Sequence, residues 1–327
     1  ATAVSPLKAQ REAAGIPTAI IPITEIYDNF SGGNETPEAI PAFLAHAATH
    51  WTMPPRYVLL VGDATTDYRG YVMPPPAQHI PALMVPVTYG GETISDARLA
   101  DVDQDGRPDL ALGRWPVNSR QEVANLIKRT LAYENRENLT SGSIVIDPTD
   151  PTFARFGERL GENGRIPTLT PLNTEQGINR LDQQSWLAAY IGHGSLTQWG
   201  QTSLLHQDTL PSALPPIMLQ FTCLTGLFAH PTQPSLSETM LLAPNGPVLI
   251  VAATSLTLSQ YQEPFATALL EELGDTAVTR FGDAFLHAQQ TLNTNTNPGL
   301  QEIRDTFTLF GDPTTPIMRP ASFTTSK

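Results

Sequence analysis

Apolar residues fall along this chain in short unbroken runs separated by segments of helical period. Tyr57-Val58-Leu59-Leu60-Val61 is apolar throughout and stops at Gly62-Asp63. A run without alternation predicts a strand buried on both faces, because a half-exposed strand would turn every second residue to water. Further strands are predicted at Leu110–Leu112, Ser143–Ile146, Trp186–Ile191, Ile217–Phe221 and Val248–Ala253. Between them the apolar spacing becomes helical. The periodicity predicts helices over Pro6–Ala14, Ser119–Asn135, Phe153–Leu160, Pro264–Leu273 and Arg280–Thr291. Another is expected after Thr36-Pro37-Glu38, where threonine can cap and proline suits the first turn. The proline-rich stretch from Pro74 to Pro86 reads as a loop. Strands alternating with helices argue for an α/β fold with a mostly parallel sheet.

This pattern divides the chain into an N-terminal α/β subdomain, 1–140, and a second subdomain, 141–320. A polar tail, 321–327, is expected to be loose. The length of 327 residues allows two domains or one large one. With 19 basic against 32 acidic side chains, the net charge of −13 disfavours a nucleic-acid partner, whose phosphates draw on lysine and arginine. No apolar run approaches the roughly 18 residues that cross a bilayer. A single cysteine excludes an intrachain disulfide and a zinc site built from several thiolates. The chain opens at Ala1 without a basic-then-apolar leader, so any targeting signal is expected outside it. Low charge, 16%, with abundant proline and threonine leans toward a secreted or cell-surface protein.

Two strand ends carry candidate chemistry. Gly192-His193-Gly194 closes one buried strand, and Thr222-Cys223 closes the next along the chain. In open parallel sheets, sites form outside the carboxyl ends of strands. If these strands are neighbours, imidazole and thiol emerge together, and the histidine can assist the thiolate and protonate a departing amine. The flanking glycines permit unusual backbone angles and close approach, so the amides of Gly194 and Cys223 could form an oxyanion hole. A cysteine ending an apolar strand is also a common inert core residue, and spacing alone leaves both readings open. Trp199 is a candidate wall of a substrate pocket, with core packing as the competing account. Asp101, Asp103, Asp105 and Asp109 alternate around Gly106 and offer the hard oxygens calcium requires. Leu112 stands where an EF-hand would need glutamate, so the expectation is a strand-leading loop with a structural Ca2+, against a plain acidic turn.

The whole chain resembles the catalytic region of the gingipain-type cysteine peptidases, members of the caspase-like group. The resemblance rests on Tyr190-Ile191-Gly192-His193-Gly194-Ser195 with Trp199-Gly200, and on Phe221-Thr222-Cys223-Leu224-Thr225-Gly226. Gln10-Arg11-Glu12, Tyr57 to Asp63, Asp103 to Arg114 and Phe307 to Pro313 follow in the family's order. It implies a caspase-like α/β/α sandwich of two side-by-side subdomains, the second carrying the dyad. It further implies a Cys223 nucleophile, His193 as its partner, and oxyanion donors at Gly194 and Cys223. An acidic residue after the first strand of the catalytic half, Asp147 or else Asp150, would support the histidine, with Asp147 preferred. The chemistry needs no cofactor, and the partners implied are protein or peptide substrates. Flanking domains are expected outside this chain. Where arginine-directed relatives hold a basic side chain with an acid, Thr152 to Gly157 offers no obvious counterpart. Transpeptidation through the same thioester and a non-catalytic binding module of the same fold are the alternatives.

Overall fold

The unbroken apolar runs become the interior strands of one sheet. The computed structural model describes residues 2–77, 79–140, 142–162, 170–172, 178, 181, 184–294 and 297–320. Helices α1 (Ser5–Ala13), α2 (Ile23–Phe30) and α3 (Ala39–His50) precede β1 (Tyr57–Val61). A separate antiparallel hairpin of β2 (Leu83–Val87) and β3 (Gly91–Ser95) follows, then β4 (Ala111–Trp115) and α4 (Arg120–Glu134). The second half runs through β5 (Ser143–Ile146), α5 (Pro151–Glu162), β6 (Thr170–Leu172) and β7 (Leu187–Ile191). A small hairpin of β8 (Gln198–Trp199) and β9 (Leu205–His206) leads to β10 (Ile217–Phe221). Then come α6 (Leu236–Leu242), β11 (Leu249–Ala253), α7 (Ser259–Gly274), α8 (Phe281–Thr291), α9 (Pro298–Thr306) and β12 (Phe307–Phe310).

The eight-stranded sheet has the order β1-β4-β12-β11-β10-β7-β5-β6. The last strand of the chain, β12, lies between the halves, antiparallel to β11 and parallel to β4. Within each half the strands are parallel, and the two sets run in opposite directions. The carboxyl ends of β7 and β10 therefore leave one edge, and those of β1 and β4 the other.

Burial on both faces explains the runs. Leu187, Ala189 and Ile191 of β7 enter a core shared with α5, α7 and α8. Ala188 and Tyr190 of the same strand enter a second core under α4 and α6. Each large apolar side chain so buried contributes about 1.5–3 kcal/mol. Either core would lose that if its residues became polar.

Several boundaries move. The proline-rich loop contains the β2–β3 hairpin, where Pro86 is tolerated because a two-stranded ribbon leaves outer amides unpaired. Helices α2, α6 and α9 were not expected. Thr36 does not cap: its hydroxyl bonds the Glu38 carboxylate, and α3 begins at Ala39. Ser119 does cap α4, accepting from Glu122 N at 3.2 Å while the Glu122 carboxylate accepts from Ser119 N at 2.9 Å. The division expected at Ser141 falls on a residue outside those described, as does the tail 321–327. One sheet passes through both halves.

Candidate active site

Ile191 on β7 stands opposite Phe221 on β10 in a parallel pair. His193 and Cys223 each follow that register pair by two residues, so imidazole and thiol leave adjacent strands about 4.8 Å apart. The two turns touch. A Cβ on Gly194 would lie 2.4 Å from Thr222 Oγ1 and 2.9 Å from the Cys223 carbonyl oxygen. One on Gly192 would lie 2.3 Å from Asp147 Cβ and 2.4 Å from the Tyr190 hydroxyl. Neither glycine has a positive φ. The motif uses glycine for close approach rather than for unusual backbone angles.

Both ends of the His193 peptide are fixed. Its N–H donates to Asp147 Oδ2 at 3.2 Å, and its carbonyl accepts from the Tyr190 hydroxyl and from Gly200 N, each at 2.7 Å. Phe153, in the first turn of α5, meets the imidazole edge-on with centroids 5.0 Å apart.

The nucleophile turn is sharper. Leu224 has φ of 59°, a left-handed conformation that costs a non-glycine residue about 1–3 kcal/mol. Bonds from Leu224 N to Ser255 O (3.0 Å), Thr225 N to Cys223 O (2.7 Å) and Gly226 N to Ala253 O (2.9 Å) hold it there. Half-buried Cys223 keeps Sγ 3.4 Å from both the N and the O of Thr257. The Thr257 N–H is a donor aimed at the sulfur. Among the described residues no protein group accepts from the N–H of Gly194 or Cys223, so both amides are free to receive a substrate oxygen.

The two candidate acids act on different parts of the turn. Asp147 is fully buried and accepts from Thr149 N (2.9 Å) and its hydroxyl (2.6 Å), besides the His193 N–H. It binds backbone. Asp150 sits just before α5 and accepts from Thr152 N at 2.7 Å. That bond first, with the charge of His193 adding to it, holds its carboxyl below the usual range.

Trp199, expected as a pocket wall, is fully buried instead. It stacks on Tyr190 with centroids 4.3 Å apart, and its indole N–H donates to Gln220 Oε1 at 2.7 Å. A buried indole needs such an acceptor. Gln220 in turn donates to Ser237 Oγ at 2.9 Å, so this chain of contacts braces β7 against β10 beneath the dyad. Sequence reading passed over Gln220. Its signal was a lone polar residue inside an apolar strand.

Away from the dyad, carboxylate oxygens of Asp101, Asp103 and Asp109 lie within 4.8 Å of one another. Asp101 is buried and its Oδ1 has no hydrogen-bond partner, while Oδ2 accepts from Gly106 N at 3.0 Å and from Arg98 at 3.3 Å. An orphaned buried carboxylate oxygen facing two others fits a hard cation. Asp105 does not join them; its Oδ1 accepts from Arg107 N at 2.8 Å.

The sequence profile of peptidase family C25 matches residues 1–146 and 155–318. Gingipain R2 of Porphyromonas gingivalis is 24% identical over 295 residues, covering 79% of this chain and 37% of the relative. Gingipain R1 of the same organism is 24% identical, over 27% of its length. This chain thus spans well under half of the curated relatives it matches. The crystal structure of the Arg-specific cysteine proteinase gingipain R superposes with a TM-score of 0.69 at 20% identity, covering 89% of this chain and 72% of that one. The complex of RgpB pro- and mature domains gives 0.72 at 21% identity, with 95% and 76% covered. At those identities the superpositions show a shared fold, a caspase-like α/β/α sandwich. No helix among the described residues is long and apolar enough to cross a membrane.

Proposed function

The chain belongs to peptidase family C25, and on that premise we propose that it is a cysteine endopeptidase acting through Cys223 and His193. The observation that carries the reading is the register of β7 and β10, which sets both side chains at the same level on adjacent strands. The Cys223 thiolate attacks a peptide carbonyl, and the amides of Gly194 and Cys223 receive the developing oxyanion. The C–N bond breaks, the amine takes a proton from His193, and a thioester remains. Water then attacks, His193 accepts its proton, and the C–S bond breaks to release the acid. Asp147 holds the His193 backbone, and Asp150 offers charge to the imidazolium.

Wild type and Cys223→Ala compared on mixed peptide libraries test the assignment. Complete loss of cleavage in the alanine variant is expected. Undiminished cleavage would overturn it.

A second part of the proposal concerns setting. We place the protein outside the cell or on its surface, in line with its low charge and its relatives' family, acting on protein substrates alongside domains beyond this chain. Asp101, Asp103 and Asp109 would hold a structural calcium ion that fixes the loop before β4. Chelator treatment of metal-loaded protein is expected to lower the melting temperature by several degrees, the scale of one lost ligand site. An Asp103→Asn variant should show no such response. Identical melts with and without chelator would remove calcium from the reading.

A further inference from the structure

The wall beside the thiol is apolar. Thr257, whose N and O each lie 3.4 Å from Cys223 Sγ, is flanked by Leu256 and Leu258. These residues are 40% and 41% exposed, whereas the other leucines of β11 and α7 are buried. From Ser255 to Gln262 the segment carries no charge, and the first charged residue, Glu263, is paired with Arg159. Nearby carboxylates are committed. Asp147 is buried under four hydrogen bonds, and Asp150 is held by Thr152 beside His193.

The wall is also braced from the other half of the chain. Thr93 of β3 donates to the Thr254 carbonyl at 2.7 Å, and the Thr254 hydroxyl donates to the Ile94 carbonyl at 2.8 Å. This reciprocal pair anchors the β2–β3 hairpin three residues before Thr257. The hairpin adds two more exposed apolar side chains, Met84 and Tyr89. Both leucines therefore stand open to water next to the residue whose main chain touches the thiol, on a segment anchored at Thr254.

We infer that Leu256 and Leu258 receive an apolar substrate side chain beside the scissile bond, so that this chain cleaves next to aliphatic or aromatic residues rather than arginine. The inference rests on the peptidase reading above and adds the substrate class. During attack the reacting carbon stands about 3–3.5 Å from sulfur, which brings the neighbouring substrate side chain within reach of the residues flanking Thr257. A guanidinium set there would lose its water against leucine, and the two acids beside the dyad, Asp147 and Asp150, are already engaged by hydroxyl and backbone donors. The arginine specificity of gingipain R thus does not transfer with the fold.

Matched peptides differing only in the residue before the cleaved bond test this on the wild-type protein. Leucine, methionine or phenylalanine should exceed arginine or lysine by at least about tenfold in kcat/KM, the range a hydrophobic pocket supplies. Leu256→Ser with Leu258→Ser should remove most of that preference while leaving the rate of Cys223 alkylation by iodoacetamide unchanged. Preference for arginine or lysine, or equal losses on leucine and alanine peptides, would overturn it. So would a serine variant altered only in self-association by sedimentation, which would make the wall a contact between copies. Should wild type cleave no peptide, the peptidase reading fails separately. Fluorescence anisotropy on the Cys223→Ala protein then still decides the wall, by whether the leucine peptide binds more tightly than its arginine counterpart.

Discussion

Asp147 and Asp150 are three residues apart and touch different atoms of the same turn. Asp147 accepts the backbone N–H of His193, so its loss acts first on how the turn holds the imidazole. Asp150 instead places a negative charge near the imidazole without holding its backbone. Asp147→Asn is therefore expected to lower kcat about ten- to a hundredfold at every pH, the scale of a small misplacement. Asp150→Asn should retain more activity, because it leaves the His193 backbone anchored. Steady-state kcat of the two variants checks this, and equal losses would contradict the division. Sequence named both acids and preferred Asp147, but could not separate their roles, because these depend on which atom each carboxylate meets. The place of His193 and Cys223 at strand ends was legible, whereas the roles given to them came from the resemblance. Trp199 was misplaced outward, since nothing along the chain shows that Gln220 waits to accept its N–H. Leu224 and Thr257 were invisible: one matters through a backbone angle, the other through its main-chain atoms.

Most elements with a strong period were read to within two residues, and β1, β5 and β10 at their observed bounds, but β4 runs three residues past its expected end and α7 begins five before its expected start. Elements defined by tertiary contact were not. The β2–β3 hairpin hides in a proline-rich stretch and is fixed by Thr254, far along the chain. Helix α6 is only seven residues long and is set by its cap, where Ser235 Oγ accepts from Glu238 N and Glu238 Oε2 accepts from Ser235 N at 2.7 Å. That cap has a consequence for pH. Burial raises the Glu238 carboxyl well above its ordinary range, and the charge of Asp63 adds to the effect, with Arg114 opposing. A raised carboxyl binds its proton more tightly in the folded state, so its contribution to stability is present below the ordinary carboxyl range. That contribution is lost as pH climbs from about 4.3 through the higher folded value. Glu238→Gln keeps an acceptor for Ser235 N and removes the charge. Its melting temperature should exceed wild type's at pH 7–8 and change less with pH. Thermal melts from pH 4 to pH 8 measure this, and parallel curves for the two proteins would exclude Glu238 as the source.

The two halves are joined at both ends of the chain, which is why composition and length could not distinguish two domains from one. β12, formed last, inserts between β4 and β11, and its crossing reverses the strand direction from one half to the other. Nothing local predicts that reversal, because a strand's sequence carries no mark of its neighbour's direction. Arg11 fastens the opposite terminus to the same place. From α1 its Nε donates to Asp312 Oδ2 at 2.9 Å, just past β12, and its Nη1 donates to Glu134 Oε2 at 2.9 Å on α4. Arg11 and Asp312 are each 3% exposed as side chains. A buried pair of this kind adds little over a well-packed apolar substitute, yet removing one partner leaves the other charge stranded. Asp312 retains the Thr314 N–H and hydroxyl as donors, which softens the loss without neutralising the carboxylate. Arg11→Ala should therefore cost about 3–5 kcal/mol. The double variant Arg11→Met with Asp312→Asn should recover part of that loss. Because the pair joins the first helix to the end of the last strand, the loss should appear as one cooperative transition at lower denaturant rather than early melting of α1 alone. Urea unfolding followed both by far-UV dichroism and by tryptophan fluorescence separates these outcomes, and a first transition confined to helix signal would show that the terminus is not integral to the sheet.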